Sequence, residues 1–312
     1  MGEDVVGVAA VRQALAAAGI RPSKRLGQSF FVDPRAVSRV LELVRSEGAC
    51  GVVEIGCGLG ALTLPLADEN ARFVSLDVDP RLVEQTRPRV AVRSGTAEVR
   101  LQDVLEFDFR SVASAWDAKV VVVGSIPYSI TAPILKKLVA ERESIRSAIL
   151  VTQREVAAKV EASPGPEGTS LGVLVRAYAD VTLAGTISRH AFYPVPEVDS
   201  CLWKLTMRAS PRFTGREAEF FAIVRAIYGA RRKTLRNALQ RGFSPDVVAR
   251  ILKHTGTDSQ LRGETLGFLE LDALACAAEP SIDEGQGRVA RMHEDGRTGK
   301  GFRDPGQGTP AP

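Results

Sequence analysis

The sequence has no long apolar run, which excludes a helical membrane protein. No stretch of its 312 residues approaches the roughly 18 to 20 uninterrupted apolar residues of a membrane-spanning helix. The beginning, MGEDVVGVAAVRQ, has acidic residues where a secretory signal peptide has a basic segment. We therefore expect a cytoplasmic protein that has no association with a membrane.

Cysteine and histidine are scarce, and their spacing excludes the usual metal sites. The four cysteines form no C-x-x-C pair, and the three histidines occupy no ligand spacing. We therefore expect no metal, and we interpret each cysteine as a small buried hydrophobic side chain. These residues are Cys50, Cys57, Cys201, Cys276, His190, His254 and His293.

Basic and acidic residues are nearly equal in number, so the net charge is only a weak indication of a polyanionic partner. The 41 basic and 37 acidic residues give a net charge of +4. The basic residues are clustered, however, in RPSKRLGQSFF and YGARRKTLRNALQRG, and such clusters are typical of nucleic-acid-binding surfaces. The alternative for each cluster is a solvated helix face. The candidates for RNA contact are Lys24, Arg25, Arg231, Arg232, Lys233 and Arg236.

Short β-rich apolar runs alternate with helical patterns through the first half of the chain, which indicates an α/β fold with a doubly wound sheet. The runs are apolar at successive positions, as is typical of parallel strands covered by helices on both faces. Two later runs, at 172–187 and 199–208, are also predicted as strands. The last of them is expected to form the antiparallel edge of a mixed, Rossmann-like sheet.

The patterns divide the chain into four segments. Residues 1–20 are predicted to form a helical appendage, because Gly19 and then Pro22 stop the helical pattern. Residues 21–208 contain the strands of the sheet. Helical patterns dominate residues 209–279, so we predict a small all-helical domain there. Residues 280–312 are rich in glycine and charge and poor in apolar residues, so we expect them to be disordered.

Three features at successive strand ends predict a nucleoside-containing cofactor. Gly56, Gly58 and Gly60 follow a strand and precede a helix, where glycine lets the backbone approach a ligand. Asp77 ends the next run, where a carboxylate can bind both ribose hydroxyls, and Asp103 ends the third, where an adenine amino group needs an acceptor. The alternatives are a bare glycine turn and helix-capping acids. Both NAD and S-adenosylmethionine fit this pattern.

The sequence SIPY at the end of the fourth run, 125–128, distinguishes these two cofactors. It fits the (Asn/Asp/Ser)-x-Pro-aromatic pattern of methyltransferases that modify amino groups. The Ser125 hydroxyl and the Ile126 carbonyl are two acceptors for the N–H bonds of an adenine amino group, and Tyr128 is placed to stack on the base. No general base is required. The alternative is a plain turn at the end of a strand.

Eight motifs, in order, resemble one family. They are KRLGQSFF, EIGCGLGALT, LDVD, QDVLEF, GSIPYSITAPIL, VTQREVAAKV, AFYPVPEVDS and RRKTLRNAL. Over about residues 21–275 the chain is identified as a member of the KsgA/RsmA and Erm family of ribosomal RNA adenine N6-methyltransferases, closer to the KsgA/RsmA branch. The resemblance implies a class I methyltransferase fold, S-adenosylmethionine as cofactor, and ribosomal RNA or a ribosomal subunit precursor as partner of a monomeric enzyme.

The resemblance also implies roles for particular residues. Phe192 corresponds to an aromatic residue thought to sandwich the target base against Tyr128, and its alternative is a core aromatic. Ser125 and Ile126 complete the catalytic set. The residues implied in cofactor binding are Gln28, Ser29, Phe31, Gly56, Gly58, Asp77, Asp103 and Ser125.

Three departures from the family pattern suggest a diverged paralogue. Ser29 and Ser125 stand where the family commonly has asparagine, and Cys57 stands where the KsgA branch usually has proline. The expected function is dimethylation of adjacent loop adenines near the 3′ end of small-subunit rRNA. The alternatives are an Erm-like 23S rRNA methyltransferase that confers antibiotic resistance, a ribosome-assembly factor that binds RNA without turnover, and a nicotinamide-dependent oxidoreductase.

Overall fold

A seven-stranded mixed sheet forms the centre of the computed structural model, which describes residues 6–49, 51–94 and 96–278. The strands are β1 (Phe30–Phe31), β2 (Val52–Ile55), β3 (Phe73–Asp77), β4 (Glu98–Leu101), β5 (Val120–Ser125), β6 (Ile145–Gln153), β7 (Ala179–Ile187), β8 (Phe192–Tyr193) and β9 (Ser200–Met207). The sheet order is β4-β3-β2-β5-β6-β9-β7, and β1 pairs separately with β8. Strands β2 to β6 are parallel, whereas β9 and β7 are antiparallel to their neighbours. The predicted mixed sheet with an antiparallel edge is confirmed, but the edge strand is β7, whereas β9, which was expected to form the edge, lies between β6 and β7.

Helices cover both faces of the sheet, which explains why its central strands carry continuous apolar runs. The valines 120–123 of β5 are all fully buried. Asp33, Asp79 and Asp108 each accept a backbone N–H from the first turn of the helix that follows, so each is an N-cap. The helices are α1 (Val8–Ala17), α2 (Pro34–Ser46), α3 (Thr63–Glu69), α4 (Pro80–Arg93), α5 (Phe109–Trp116), α6 (Thr131–Ala140), α7 (Arg154–Glu161), α8 (Ser170–Tyr178), α9 (Glu217–Tyr228), α10 (Leu235–Leu239), α11 (Pro245–Thr255) and α12 (Phe268–Ala278). Among the described residues, none of these helices has the length and apolar character needed to cross a membrane.

The predicted strand at 172–187 is wrong over its first part. Residues 172–178 belong to α8, and β7 begins only at Ala179. Thr169 caps the helix by accepting the N–H of Gly172 at 3.0 Å. The helix then buries Val173, Val175 and Ala177 against α6 and α7. An apolar, valine-rich run fits a buried strand or a buried helix equally well, and the cap and the packing decide between them.

Both ends of the described chain pack onto the sheet. Val11 and Leu15 of α1 are buried in the same apolar cluster as α2 and β2. On the other face, Phe213 contacts Tyr178 at a ring-centroid distance of 5.7 Å and stacks on Phe220 at 4.4 Å. The helices α9 to α12 therefore share a continuous apolar core with the sheet. Glu279 and the predicted tail, 280–312, lie outside the described residues.

We predict that Gly172→Ala destabilises the protein. A Cβ atom at this position would lie 2.1 Å from the Oγ of Ser163 and 3.0 Å from the carbonyl oxygen of Lys159. Ser163 cannot easily move, because its Oγ donates to that carbonyl at 2.7 Å and accepts the Thr169 N–H at 2.9 Å. Overpacking of this kind costs about 1 to 3 kcal/mol. Urea unfolding measures the loss, and Ser170→Ala, at an exposed position of the same helix, is the control; equal midpoints for the two variants would contradict the prediction.

Candidate active site

A cavity of about 640 Å³ opens at the carboxyl ends of the parallel strands. It lies where the strand order changes direction, between β2 and β5, with β3 on the outer side of β2. Open α/β sheets place their ligands at such a switch point. The turns after β2, β3, β4 and β5 all contribute to the lining, which includes Gly56, Asp77, Asp103 and Ser125.

The glycine-rich turn after β2 adopts a conformation that favours glycine. The φ angles of Gly56, Gly58 and Gly60 are +90°, +50° and +89°. A Cβ atom at Gly56 would meet no heavy atom within 4 Å, so the backbone there borders open space. The turn therefore offers bare backbone to a ligand in the cavity, as predicted from the glycine spacing.

Asp77 is fixed by two backbone groups. Its Oδ2 accepts the Gly58 N–H at 3.1 Å and its Oδ1 accepts the Asp79 N–H at 2.9 Å. Burial raises the pKa of Asp77 above its usual value, whereas these two hydrogen bonds lower it. Asp103 is held in the same way, because its Oδ1 accepts the Leu105 N–H at 2.8 Å. Both carboxyls are thus oriented before any ligand arrives.

Gln28 holds the turn at 23–28 against the loop that follows β3. Its Nε2 donates to Asp79 Oδ2 at 2.8 Å, and its Oε1 accepts the Ser23 N–H at 2.7 Å. Hydrogen bonding to Arg81 is the main cause that lowers the pKa of Asp79 to about 2, so this anchor stays ionised. Both amide atoms of Gln28 are therefore engaged within the protein. The turn places the exposed residues Lys24 and Arg25 at the cavity lining.

Ser29, Phe31 and Phe192 join the N-terminal segment to the loop before β9. The Ser29 hydroxyl donates to the carbonyl oxygen of Pro194 at 2.7 Å. The rings of Phe31 and Phe192 are 4.7 Å apart and tilted by 38°. Phe192 is only 3% exposed, so it packs as a core aromatic, although it also contributes to the cavity lining.

The turn after β5 presents two unused hydrogen-bond acceptors. Strand β5 ends at Ser125, and the Ile126 N–H donates to the carbonyl of Val151 at 2.9 Å. Within the described residues, neither the Ser125 hydroxyl nor the Ile126 carbonyl accepts a hydrogen bond. Tyr128 follows and lines the same cavity, with its hydroxyl 3.3 Å from Ser200 Oγ and 3.5 Å from the Val198 carbonyl.

The basic residues predicted to bind RNA fall into two groups. Lys24 and Arg25 line the cavity, whereas the others lie between α9 and α10 or on α10 itself. Arg231 is engaged within the protein, because it pairs with Glu264 at 2.7 Å and donates to the carbonyl of Pro166. The residues of this group that remain exposed, with no ion pair to a described residue, are Arg232, Lys233 and Arg236.

Sequence patterns missed several polar residues of the cavity lining, and two of these, Glu54 and Ser200, are buried. Glu54 is an acid inside the apolar strand β2, and Ser200 is the buried first residue of β9. A lone carboxylate within the run VVEI was a usable signal for Glu54, whereas nothing local marks Ser200. In the described parts of the chain, no group of three or more His, Cys, Asp and Glu side chains is arranged to hold a metal ion.

The lining fits S-adenosylmethionine. Three adjacent strands are each followed by a feature that suits one part of this ligand. Bare backbone at Gly56 suits the methionyl part, the fixed carboxyl of Asp77 suits the ribose, and the acceptor of Asp103 suits the adenine. The two free acceptors of the Ser125 turn lie in the same cavity, so a methyl donor and an amino group can meet there.

Comparisons with known proteins agree with this geometry. A sequence model of the family described as "Ribosomal RNA adenine dimethylase" matches residues 20–266. The ribosomal RNA small subunit methyltransferase A of Geobacillus thermodenitrificans is 33% identical over 290 residues, which are 90% of this chain and 99% of that protein. The protein of the same name from Thermobifida fusca is 35% identical over 267 residues, 85% of this chain and 93% of that one.

Solved structures show the same fold. The crystal structure of the 23S rRNA methyltransferase ErmE matches with a TM-score of 0.63 and 26% identity, over 80% of this chain and all of that one. A dimethyladenosine transferase from Plasmodium falciparum matches with a TM-score of 0.67 and 23% identity, over 78% of this chain and 95% of that one. The class I methyltransferase fold with a helical C-terminal region, expected from the resemblance, is thereby confirmed.

Proposed function

Because the chain belongs to the ribosomal RNA adenine dimethylase family, we propose that it transfers methyl groups to the exocyclic N6 of adenine in small-subunit ribosomal RNA. The observation that carries the proposal is the pair of unused acceptors at the Ser125 turn, beside Tyr128 and in the cavity that fits S-adenosylmethionine. An amino group is the ligand that two adjacent acceptors bind best, since it has two N–H donors.

The turn after β5 would make the adenine amino group nucleophilic. Its nitrogen lone pair is normally delocalised into the ring. The Ser125 hydroxyl and the Ile126 carbonyl would each accept a hydrogen bond from one N–H, which favours a pyramidal nitrogen whose lone pair is localised and directed at the methyl group, and Tyr128 would stack on the base to hold it in line. S-adenosylmethionine supplies an electrophilic methyl group on a sulfonium sulfur. The methylated nitrogen then loses its extra proton to water, so no side chain needs to act as a base.

The remaining lining residues would bind the cofactor. Gly56 and Gly58 contribute backbone, Asp77 accepts the ribose hydroxyls, and Asp103 accepts the adenine amino group. Ser29, Phe31 and Gln28 would shape the wall from the N-terminal side, and the hydrogen bond from Gln28 to Asp79 supports a positioning role for Gln28. Phe192 supports this wall through Phe31 and is proposed to contact the target base from the side opposite Tyr128.

The target base has to leave its stack to reach Tyr128. Flipping costs a few kcal/mol in a duplex, so a loop or single-stranded adenine is favoured. Lys24 and Arg25 are placed to contact the phosphates of the bound nucleotide. We propose that the sheet region, 21–208, carries the methyl transfer and that the helical region, 209–279, adds RNA contacts through Arg232, Lys233 and Arg236.

Small-subunit rRNA is favoured over 23S rRNA as the substrate. The relatives that are 33% and 35% identical over most of their length both carry the name small subunit methyltransferase A, whereas ErmE is 26% identical. An Erm-like activity on 23S rRNA is the second candidate. It has the support of the fold shared with ErmE over 80% of this chain.

We predict that the protein labels immature 30S particles. Incubation with tritiated S-adenosylmethionine and either 30S or 50S precursors should place the label on adenine of the 30S rRNA, with dimethyladenosine detected by mass spectrometry of the digested RNA. Label on the 50S particle alone would instead support the Erm-like activity. Tight RNA binding without any label would support an assembly factor that has lost turnover.

We predict that Tyr128→Ala slows methyl transfer at least tenfold while cofactor affinity changes less than about threefold. Loss of base stacking costs about 1 to 3 kcal/mol. Tyr128→Phe is the matched control, because it keeps the ring and removes only the hydroxyl that contacts Ser200. Single-turnover rates and calorimetric titration of the cofactor measure the two effects. Equal rates for the alanine variant and the parent protein would remove Tyr128 from the mechanism.

We predict that the double variant Arg232→Ala/Lys233→Ala binds RNA with a weaker salt dependence. Removal of two phosphate contacts should reduce the slope of log K against log salt by roughly 1 to 2. The control is Lys119→Ala/Arg146→Ala, because these exposed residues lie at the amino ends of β5 and β6, away from the cavity. If the salt dependence of RNA binding is unchanged in Arg232→Ala/Lys233→Ala, these two residues belong to a solvated surface and do not contact RNA phosphates.

A further inference from the structure

Glu54 is a buried carboxyl in the cavity lining that has no counter-ion in the described part of the chain. It is 1% exposed and lies on β2, one strand away from Asp77. Ser75 donates a hydrogen bond to its Oε2 at 2.6 Å, whereas the hydroxyl of Thr63 in α3 donates to the Cys57 carbonyl at 3.0 Å. Buried carboxylates in proteins are normally paired with a cation, because the charged form is costly to desolvate.

The surroundings of Glu54 make its charged form unfavourable. Burial is the main cause that raises its pKa to about 8, and the negative charge of Asp77 from β3 raises it further. The hydroxyls of Ser75 and Thr63 act in the opposite direction. The other titratable group of this cluster is the Cys57 thiol, whose own pKa is raised by burial, so it stays neutral. In the protein alone, burial and the neighbouring charge of Asp77 therefore favour the protonated form of Glu54 near neutral pH.

We propose that Glu54 is the counter-ion of the sulfonium charge of S-adenosylmethionine and that it releases its proton to solvent when this cofactor binds. The proposal rests on the proposed function. A cation that enters the cavity favours the ionised form of a nearby carboxyl, because the Coulomb attraction is strong where water is excluded. The cavity is lined by four acids, Glu54, Asp77, Asp103 and Glu197, and by two bases, Lys24 and Arg25, so the balance of charge favours a cationic ligand.

The consequence is a preference for the cofactor over its product. Methyl transfer breaks the bond between sulfur and the methyl carbon, and the sulfur keeps the electron pair, so S-adenosylhomocysteine has no sulfonium charge. Glu54 then regains a proton from solvent, and the product loses the ion pair. The same carboxyl would thus strengthen binding before transfer and weaken it afterwards.

A proton inventory by calorimetry tests this. Binding of S-adenosylmethionine and of S-adenosylhomocysteine is measured at pH 7 in phosphate and in Tris, whose ionisation enthalpies differ. A carboxyl with its pKa near 8 is mostly protonated at pH 7, so we expect release of roughly 0.5 to 0.9 proton per S-adenosylmethionine and almost none per S-adenosylhomocysteine. This comparison needs no variant and therefore does not depend on the folding of one.

Two variants locate the proton. Glu54→Gln keeps the size of the side chain and an acceptor for Ser75, and we expect it to abolish the release and to reduce the affinity ratio of cofactor to product at least tenfold at pH 8.5. Glu84→Gln, at an exposed position of α4, is the control and should behave as the parent protein. In the parent protein this ratio should rise between pH 6 and pH 9, whereas it should stay constant in Glu54→Gln.

The outcomes separate this proposal from the proposed function. Binding of both ligands without a difference in proton release would overturn the role of Glu54 and leave the methyltransferase function intact. Release that persists in Glu54→Gln would also overturn it, since the proton would come from another group. Failure of the parent protein to bind either ligand would overturn the function and this proposal together.

Discussion

The adjacency of β2 and β5 in the sheet is the constraint on which the site depends. These strands are far apart in the sequence, yet Ile55, the last residue of β2, pairs with Gly124, which directly precedes the last residue of β5. Their backbones approach closely there, because a Cβ atom at Gly124 would lie 2.9 Å from the carbonyl oxygen of Ile55. The glycine-rich turn and the Ser125 turn are therefore held side by side. A cofactor bound by the first lies within reach of a base bound by the second.

Charges of opposite sign are separated within the site. Three of the four acids that line the cavity, Glu54, Asp77 and Asp103, belong to the ends of β2, β3 and β4 or to the turns that follow them, and the fourth, Glu197, lies in the loop before β9. The bases Lys24 and Arg25 are exposed on the N-terminal turn. In the proposed function, the cationic cofactor lies beside the acids at the strand ends and the anionic RNA beside the basic turn. Gln28 fixes this arrangement, because its amide joins the basic turn to Asp79 beside the acids.

The two serines that depart from the family pattern have different environments. Ser29 is engaged, since its hydroxyl donates to the Pro194 carbonyl and ties the N-terminal segment to the loop before β9. The hydroxyl of Ser125 accepts no hydrogen bond from a described residue and remains available to a substrate. Serine at 125 thus supplies an acceptor, as asparagine does, on a shorter side chain. The two substitutions therefore concern different parts of the site.

The sequence by itself determined the central parallel strands, the glycine-rich turn and the family. Continuous apolar runs require cover on both faces, glycines after β2 require positive φ angles, and aspartates before helices cap them, and all of these are local effects. The tertiary structure decided whether 172–178 is helix or strand, and it decided which polar groups are already engaged. Gln28 binds Asp79, Arg231 binds Glu264, and Glu54 has a hydroxyl rather than a cation as its partner among the described residues, because these partners are chosen by packing between distant segments. Local sequence cannot specify such distances, and the free energy of a buried polar group depends on them.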